Sequence, residues 1–236
     1  MDNYKYPRRN GITVMELPVI IINFKDYETT TGKNALKIAR MCDRVAKQTG
    51  ASIALAVQAA DIYKIAKAVK IPVLAQHIDS VSYGKHTGFI LAESVKEAGA
   101  VGTILNHSEH QIAMDTLGKS IASAKRAGLL TVACADTAEK AAEVAGLSPD
   151  FVAVEPPELI GGDISVSTAK PELISETAAR VRSVADIPLL CGAGVKTGAD
   201  IKAALSLGAR GFLLASGITE AKNPRKMLLG MVSGLK

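Results

Sequence analysis

Tryptophan is absent, and aromatic residues make up only 4% of the 236-residue sequence. The chain therefore lacks the repeated aromatic platforms on which single-stranded nucleic acid stacks. Cysteine is scarce too. Cys42, Cys134 and Cys191 are odd in number and far apart, with no CxxC and no histidine pair at metal-ligand spacing. That pattern predicts reduced thiols in a cytoplasmic protein, not a disulfide framework or a metal centre. The longest early apolar run, Leu17 to Ile22, is much too short to span a bilayer and lacks a signal-peptide layout. Charge of one sign is not concentrated either. The formal net charge is +5, with Lys5, Arg8 and Arg9 contributing in the polar start of the chain. No helical pattern carries a basic stripe, so a nucleic-acid footprint is missing. A mild positive balance suits an anionic metabolite.

What the sequence has in quantity is small and branched apolar residues, within a hydrophobic fraction of 48%. They fall in short, nearly continuous runs: Val19–Phe24, Ser52–Val57, Pro72–Gln76, Val101–Leu105, Leu130–Cys134, Phe151–Val154, Pro188–Leu190 and Gly211–Leu214. Each predicts a parallel strand covered on both faces. Helical patterns lie between them, at Lys33–Gln48, Asp61–Val69, Leu91–Ala98, Gln111–Arg126, Ala138–Ala145, Pro171–Val184, Gly198–Leu207 and Pro224–Leu235. Gly50, Gly99, Gly128, Gly146 and Gly208 stand where helices should stop. Strands alternating with helices in this number predict an α/β fold, a single-domain (β/α)₈ barrel over residues 15–236. Residues 1–14 read as an N-terminal extension, expected to be disordered. A doubly wound open sheet would want a glycine-rich turn after its first strand, where Asn23-Phe24-Lys25 stands instead.

In such a barrel the reactive groups gather where the strands end. Polar residues do collect there. Strand one ends in Asn23 and Lys25, strand four in Asn106-His107-Ser108-Glu109, and strand six in Glu155-Pro156-Pro157. Strand seven runs into Cys191-Gly192-Ala193-Gly194 and strand eight into Ala215-Ser216-Gly217. A glutamate at the end of a buried strand needs a partner or water, so Glu155 is a candidate for chemistry before packing. For His107, capping of the next helix by Ser108 or Glu109 would turn backbone N–H groups toward the imidazole and disfavour its cation. The prolines after Glu155, followed by Gly161 and Gly162, have the stiff body and free end of a hinged lid. The glycine-bearing loops after strands seven and eight suit phosphate, because bare N–H groups can approach the anion.

These segments, with Glu158-Leu159-Ile160-Gly161, resemble triosephosphate isomerase in its shorter archaeal form, from about Met15 to the C-terminus. The resemblance implies the TIM barrel and three catalytic residues. Glu155 would be the base, His107 a neutral electrophile, and Lys25 the cation steadying the enediolate and phosphate. This pairing of a glutamate base with a neutral histidine is a known pattern of the family itself. Asn23 would help hold Lys25 and the substrate. Ile160, Gly161, Gly194, Ala215 and Ser216 would give backbone donors to a small phosphorylated three-carbon substrate. Gln76-His77-Ile78-Asp79 and His86-Thr87-Gly88 are similar to the family's third loop, which in relatives reaches into a neighbouring subunit. A homo-oligomer, dimer or tetramer, is implied. The chain departs from the family pattern in two places. Gly162-Asp163 replaces Thr-Gly, and Lys196 stands where relatives have a small polar residue.

No metal or organic cofactor is expected, because proton transfer beside a carbonyl needs only a base and an electrophile. Two rivals remain open. A metal-using pentulose-phosphate epimerase would want His and Asp on several strand ends, yet His77, His86 and His110 lie elsewhere. A catalytically silent phosphosugar-binding protein should have lost Lys25, His107 or Glu155, and all three are present.

Overall fold

The computed structural model describes residues 15–155 and 171–235. The extension 1–14 and the segment carrying Ile160, Gly161, Gly162 and Asp163 lie outside the described residues. Eight parallel strands close into a barrel in sequence order: β1 Val19–Asn23, β2 Ser52–Val57, β3 Val73–Ala75, β4 Gly102–Leu105, β5 Leu130–Ala135, β6 Phe151–Val154, β7 Leu189–Cys191 and β8 Gly211–Leu214. Closure is the β1–β8 pairing, from Val19 beside Gly211 to Ile22 beside Leu214. Each strand lies within a residue or so of its sequence expectation.

Side-chain alternation divides the core in two. Val19, Ile21, Ala54, Ala56, Leu74, Ile104, Val132, Cys134, Phe151, Ala153, Leu190 and Leu213 fill the barrel interior. Ile20, Ile22, Ile53, Leu55, Val57, Val152, Val154, Phe212 and Leu214 belong to the larger cluster packed against the helices. Parallel strands need β-branched and aliphatic residues on both faces for this reason, and the sequence supplies them without interruption.

The helices among the described residues are α1 Lys33–Thr49, α2 Ile62–Ala68, α3 Ala92–Glu97, α4 Met114–Ala127, α5 Ala138–Gly146, α6 Pro171–Val184, α7 Gly198–Ser206, α8 Ser216–Thr219 and α9 Pro224–Val232. Helix α1 buries Ala35, Ala39, Cys42, Val45 and Ala46, an apolar stripe at three-and-four spacing. Gly50 and Gly128 stop α1 and α4 in the left-handed conformation, at φ 72° and 75°.

Three expectations need correction. Helix α4 starts at Met114, not Gln111, because residues 107–112 are tied into the site described below. Gly146 is the last residue of α5 and does not stop it. The left-handed residue there is Ser148, φ 56°, whose N–H donates to Ala145 O and whose carbonyl accepts from Lys125 Nζ. The short α8 has no sequence counterpart, since four residues are too few to show a helical period.

Two glycines test how tightly this barrel is packed. A Cβ on Gly211 would fall 2.6 Å from Val19 O and 2.8 Å from Leu190 Cδ2, in the closing seam. On Gly230, inside α9, it would meet nothing within 4 Å. Urea unfolding should therefore show Gly211→Ala less stable by about 1–3 kcal/mol. Gly230→Ala should be more stable by roughly 0.4–1 kcal/mol, because it restricts the unfolded chain. Equal effects would contradict this picture of the seam.

Candidate active site

The register that builds the interior also delivers the polar residues. Counting by twos along β6, Phe151 and Ala153 face the axis and Glu155 follows at the strand's end. Asn23 follows Val19 and Ile21 in the same way. Both are buried, with Glu155 5% exposed and Asn23 5% exposed. Pairing of β6 with β7 matches Ala153 to Leu190 and Val154 to Cys191. The next step up sets Glu155 beside Gly192, whose N–H donates to Val154 O at 2.9 Å. A Cβ on Gly192 would overlap Glu155 Cγ and come within 3.2 Å of its Cδ. The glycine is therefore space left for the carboxylate's stem, a role separate from any loop flexibility.

His107 stands against Glu155, with its Nε2 3.2 Å from Glu155 Oε1. Its other ring nitrogen, Nδ1, accepts the Glu109 backbone N–H at 3.2 Å. An N–H can only donate, so this bond needs a lone pair on Nδ1 and leaves the ring proton for Nε2. The donor foreseen for the imidazole is present, but it comes from a turn. Neither Ser108 nor Glu109 caps α4, whose N-cap is Ala113 with no side-chain bond. Residues 107–110 close on themselves instead, His110 N–H donating to His107 O at 2.8 Å. Asn106, at φ 56°, pins this turn from both sides. Its Nδ2 donates to Cys134 O at 2.9 Å, and its Oδ1 accepts the Ile112 N–H at 2.9 Å.

Lys25 is also left-handed, φ 48°, a conformation that costs a lysine free energy. Asn23 Oδ1 accepts the Lys25 N–H at 3.0 Å, and Gln76 Nε2 donates to both Lys25 O at 3.0 Å and Asn23 Oδ1 at 3.2 Å. Gln76, Asn106 and Gly192 are positioning residues; the sequence placed them in the third loop, at the end of strand four and in a glycine loop, but indicated none of these contacts. Their one visible signal is placement at or just past a strand's end. The Lys25 Nζ donates to Glu109 Oε1 at 2.6 Å. Burial alone would lower the pKa of this ammonium; the Glu109 bond and charge outweigh it, and the net direction is up.

A cavity of about 550 Å³ opens above these groups. Asn23, Lys25, His107, Glu155, Gly194, Lys196, Ala215 and Ser216 all line it. The structure thus gathers seven of the residues singled out from the sequence around one hollow, and Lys196 with them. Of the rest, Ile160 and Gly161 lie outside the described residues. Among the described residues, the buried Glu155 Oε2 has no hydrogen-bond partner. Below it, complete burial and then the Glu155 charge push the Cys134 thiol well above its usual range, so this neighbour stays uncharged. All three cysteines are free and buried. Among the described residues no group of three or more His, Cys, Asp or Glu could hold a metal ion, and no helix is long and apolar enough to cross a membrane.

The Lys25–Glu109 pair has a direct test. A raised ammonium pKa adds stability that is present at neutral pH and lost as pH rises through the raised value. In Glu109→Gln only burial remains as the leading influence, so the Lys25 titration should move to lower pH. The ¹³Cε shift of labelled lysine, followed against pH, reads it directly. An unmoved midpoint would show that Glu109 does not set the charge.

The model of the family described as triosephosphate isomerase matches residues 18–232. The triosephosphate isomerase of Methanobacterium bryantii is 50% identical over 221 residues, covering 93% of this chain and 98% of that protein. That of Methanothermobacter thermautotrophicus is 48% identical, covering 94% and 97%. That of Metallosphaera sedula is 44% identical, covering 93% and 96%. Among solved structures, the triosephosphate isomerase of Bartonella henselae superposes with a TM-score of 0.68 at 23% identity, covering 84% of this chain and 92% of that one, and speaks for the fold alone. With the model spanning nearly the whole barrel and these relatives matched almost end to end, the chain belongs to the triosephosphate isomerase family.

Proposed function

We propose that the chain interconverts dihydroxyacetone phosphate and D-glyceraldehyde 3-phosphate through an enediolate, in glycolysis and gluconeogenesis. The observation that carries the reading is the Glu155–His107 pair, its Nε2 and Oε1 3.2 Å apart in the cavity lining, both side chains buried. Glu155 takes the proton from the substrate carbon, and the C–H electrons become the second bond of the enediolate. The carbonyl oxygen gains the negative charge, and His107 Nε2–H donates to it there. The hydroxyl proton passes from the neighbouring oxygen to the first one by way of His107 Nε2, Glu155 returns its proton to the other carbon, and the carbonyl re-forms at the oxygen that lost its proton. Lys25 supplies a fixed positive charge to the oxygen end and the phosphate, held in place by Asn23. Gly194, Ala215 and Ser216 offer backbone donors to the phosphate, supported by their place in the lining of the same cavity.

The protein is assigned to the cytoplasm and to a homo-oligomer, dimer or tetramer. The segment from Asp79 to Ile90 supports the second assignment. Asp79 N–H donates to Ile90 O at 2.9 Å and Asp79 Oδ2 accepts the Ile90 N–H at 2.6 Å, closing its base. It exposes Tyr83 in its middle and Phe89 beside its base, large apolar groups suited to a neighbouring copy.

The phosphate site is tested by 2-phosphoglycolate, an enediolate mimic. At about 100 times its Kd it should add roughly 2.7 kcal/mol to stability and raise Tm accordingly. No shift at saturation would count against the site. The base is tested by Glu155→Asp, which keeps the charge and withdraws the carboxylate by about an ångström. Displacement on that scale costs about a hundredfold in rate, so kcat should fall by that order while KM changes little. A kcat within about threefold of wild type, in a coupled assay run in both directions, would remove Glu155 as the base.

A further inference from the structure

A second hollow, of about 770 Å³, shares Lys25 and His107 with the first and is also lined by Gln76, His77, Glu109 and His110. Two of its histidines have no part in the chemistry proposed above. The rings of His77 and His110 lie against each other, centroids 4.3 Å apart and planes tilted by 32°. His77 comes from the connection after β3 and is nearly enclosed, its side chain 12% exposed. His110 comes from the turn after β4 and is exposed. The contact therefore joins the two connections that mount the site. Gln76, directly before His77, holds Asn23 and Lys25. Glu109, directly before His110, bonds Lys25 through its carboxylate and His107 Nδ1 through its N–H.

Imidazoles this close accept one proton between them, because a cation over a neutral ring is attracted to it. Two protons set like charges against each other. The titratable and charged groups around His77 come from three connections. Asp79, on its own connection, has Oδ1 3.5 Å from His77 Nε2. Lys25, Asp26 and Tyr27 line the hollow from after β1, and His107, Glu109 and His110 from after β4. Gln58, Ala59 and Ala60 line it from after β2 and carry no charge. Burial first, and then His110, push the His77 imidazole below its ordinary value against the opposing pull of Asp79.

We propose that the His77–His110 stack is a clasp between the connections after β3 and β4, positioning Gln76 and Glu109 while at least one ring is neutral and opening when both are protonated. The inference rests on the isomerase reading, which gives Lys25 and His107 their tasks. The direction with pH follows from linkage. The closed clasp favours neutral His77, so the open form binds the proton more readily. Closure is complete above the ordinary histidine range and is lost as pH falls through the lowered value.

The test uses the full-length protein with His110→Phe, which keeps a ring but carries no proton, and His110→Ala, which keeps neither. Histidine ring signals followed against pH by NMR should show a higher His77 midpoint in His110→Phe than in wild type. Amide hydrogen exchange reads the clasp on each side. The N–H of residue 110 donates to His107 O, and that of Lys25 to Asn23 Oδ1. Protection of both should fall in wild type as pH drops through the His77 midpoint, and stay level in His110→Phe. In kinetics, the ionisations of Glu155 and of the substrate phosphate are common to all three proteins, so their comparison isolates the clasp. His110→Phe should hold its kcat further into acid than wild type. His110→Ala should lose about tenfold in kcat at every pH, through misplaced groups. A purely structural role would lower both variants and leave the shape of the profile unchanged. If the wild type turns over and His110→Phe keeps its midpoint, protection and acid limb, the proposal falls and the isomerase reading stands. If the wild type does not turn over, that reading fails, and the titration and exchange alone decide the clasp. A raised midpoint without the change in protection would leave a pair that titrates but holds nothing, which also overturns the proposal. Should His110→Ala fail to fold, the comparison with His110→Phe still decides.

Discussion

Every strand residue in a closed parallel barrel faces either the axis or the helices, and no free edge remains to absorb a slip in register. The candidate site depends on that constraint. Phe151 and Ala153 lie in the interior core, so Glu155 follows on the axial side; Leu190 lies there too, so Gly192 arrives beside it. A slip of one residue along β6 would turn Val154 inward and carry the carboxylate toward the helices. It would also expose the interior cluster's partners to the wrong layer. Packing and the candidate site therefore share one register, and a filled core also holds the geometry of that site.

The upper rim of the barrel works against a different difficulty. Lys25 and Asn106 take left-handed backbone angles, each costing on the order of 1–3 kcal/mol. Three hydrogen bonds from Asn23 and Gln76 surround Lys25, and two bonds from its own amide hold Asn106. At roughly 0.5–1.5 kcal/mol each, these bonds are of the size needed to offset the strain. The amides are thus more than polar filling. They convert flexible strand-to-helix connections into fixed mounts for the ammonium and the imidazole, the kind of support that preorganised catalysis requires.

The fold was highly legible in the sequence because its strands are covered on both faces. Continuous runs such as Val19–Phe24 and Ser52–Val57 announce burial by themselves. Lys25, His107 and Glu155 stand at the ends of such runs, which made them candidates, while the roles proposed for them came from the family resemblance. What could not be read comes from contacts between distant parts of the chain. The bonds from Gln76 to Asn23 and Lys25 cross from β3 to β1, and no local pattern encodes them. Gly192 looks like an ordinary turn glycine until the β6–β7 register places it against Glu155. The turn after His107 shows the limit of local rules. Ser108 and Glu109 have the composition of a cap, but Asn106 captures Ile112 and delays the helix to Met114.

The charge arrangement carries the argument one step further. An ammonium bonded directly to a carboxylate stabilises the anion and weakens it as a proton acceptor. A site that needs both a lysine and a glutamate base must keep the two from satisfying each other. Here Lys25 is bonded to Glu109, while Glu155 contributes least among the groups acting on that ammonium. Glu109 is 57% exposed in its side chain, so water still reaches the Lys25–Glu109 pair and its net worth is small. Among the described residues, Glu155 has the His107 imidazole at 3.2 Å and the uncharged Cys134 thiol beside it, and no ammonium bonded to it. In the proposed reaction, then, Glu109 does more than hold a lysine. By occupying the ammonium it leaves the buried carboxylate available to the substrate proton.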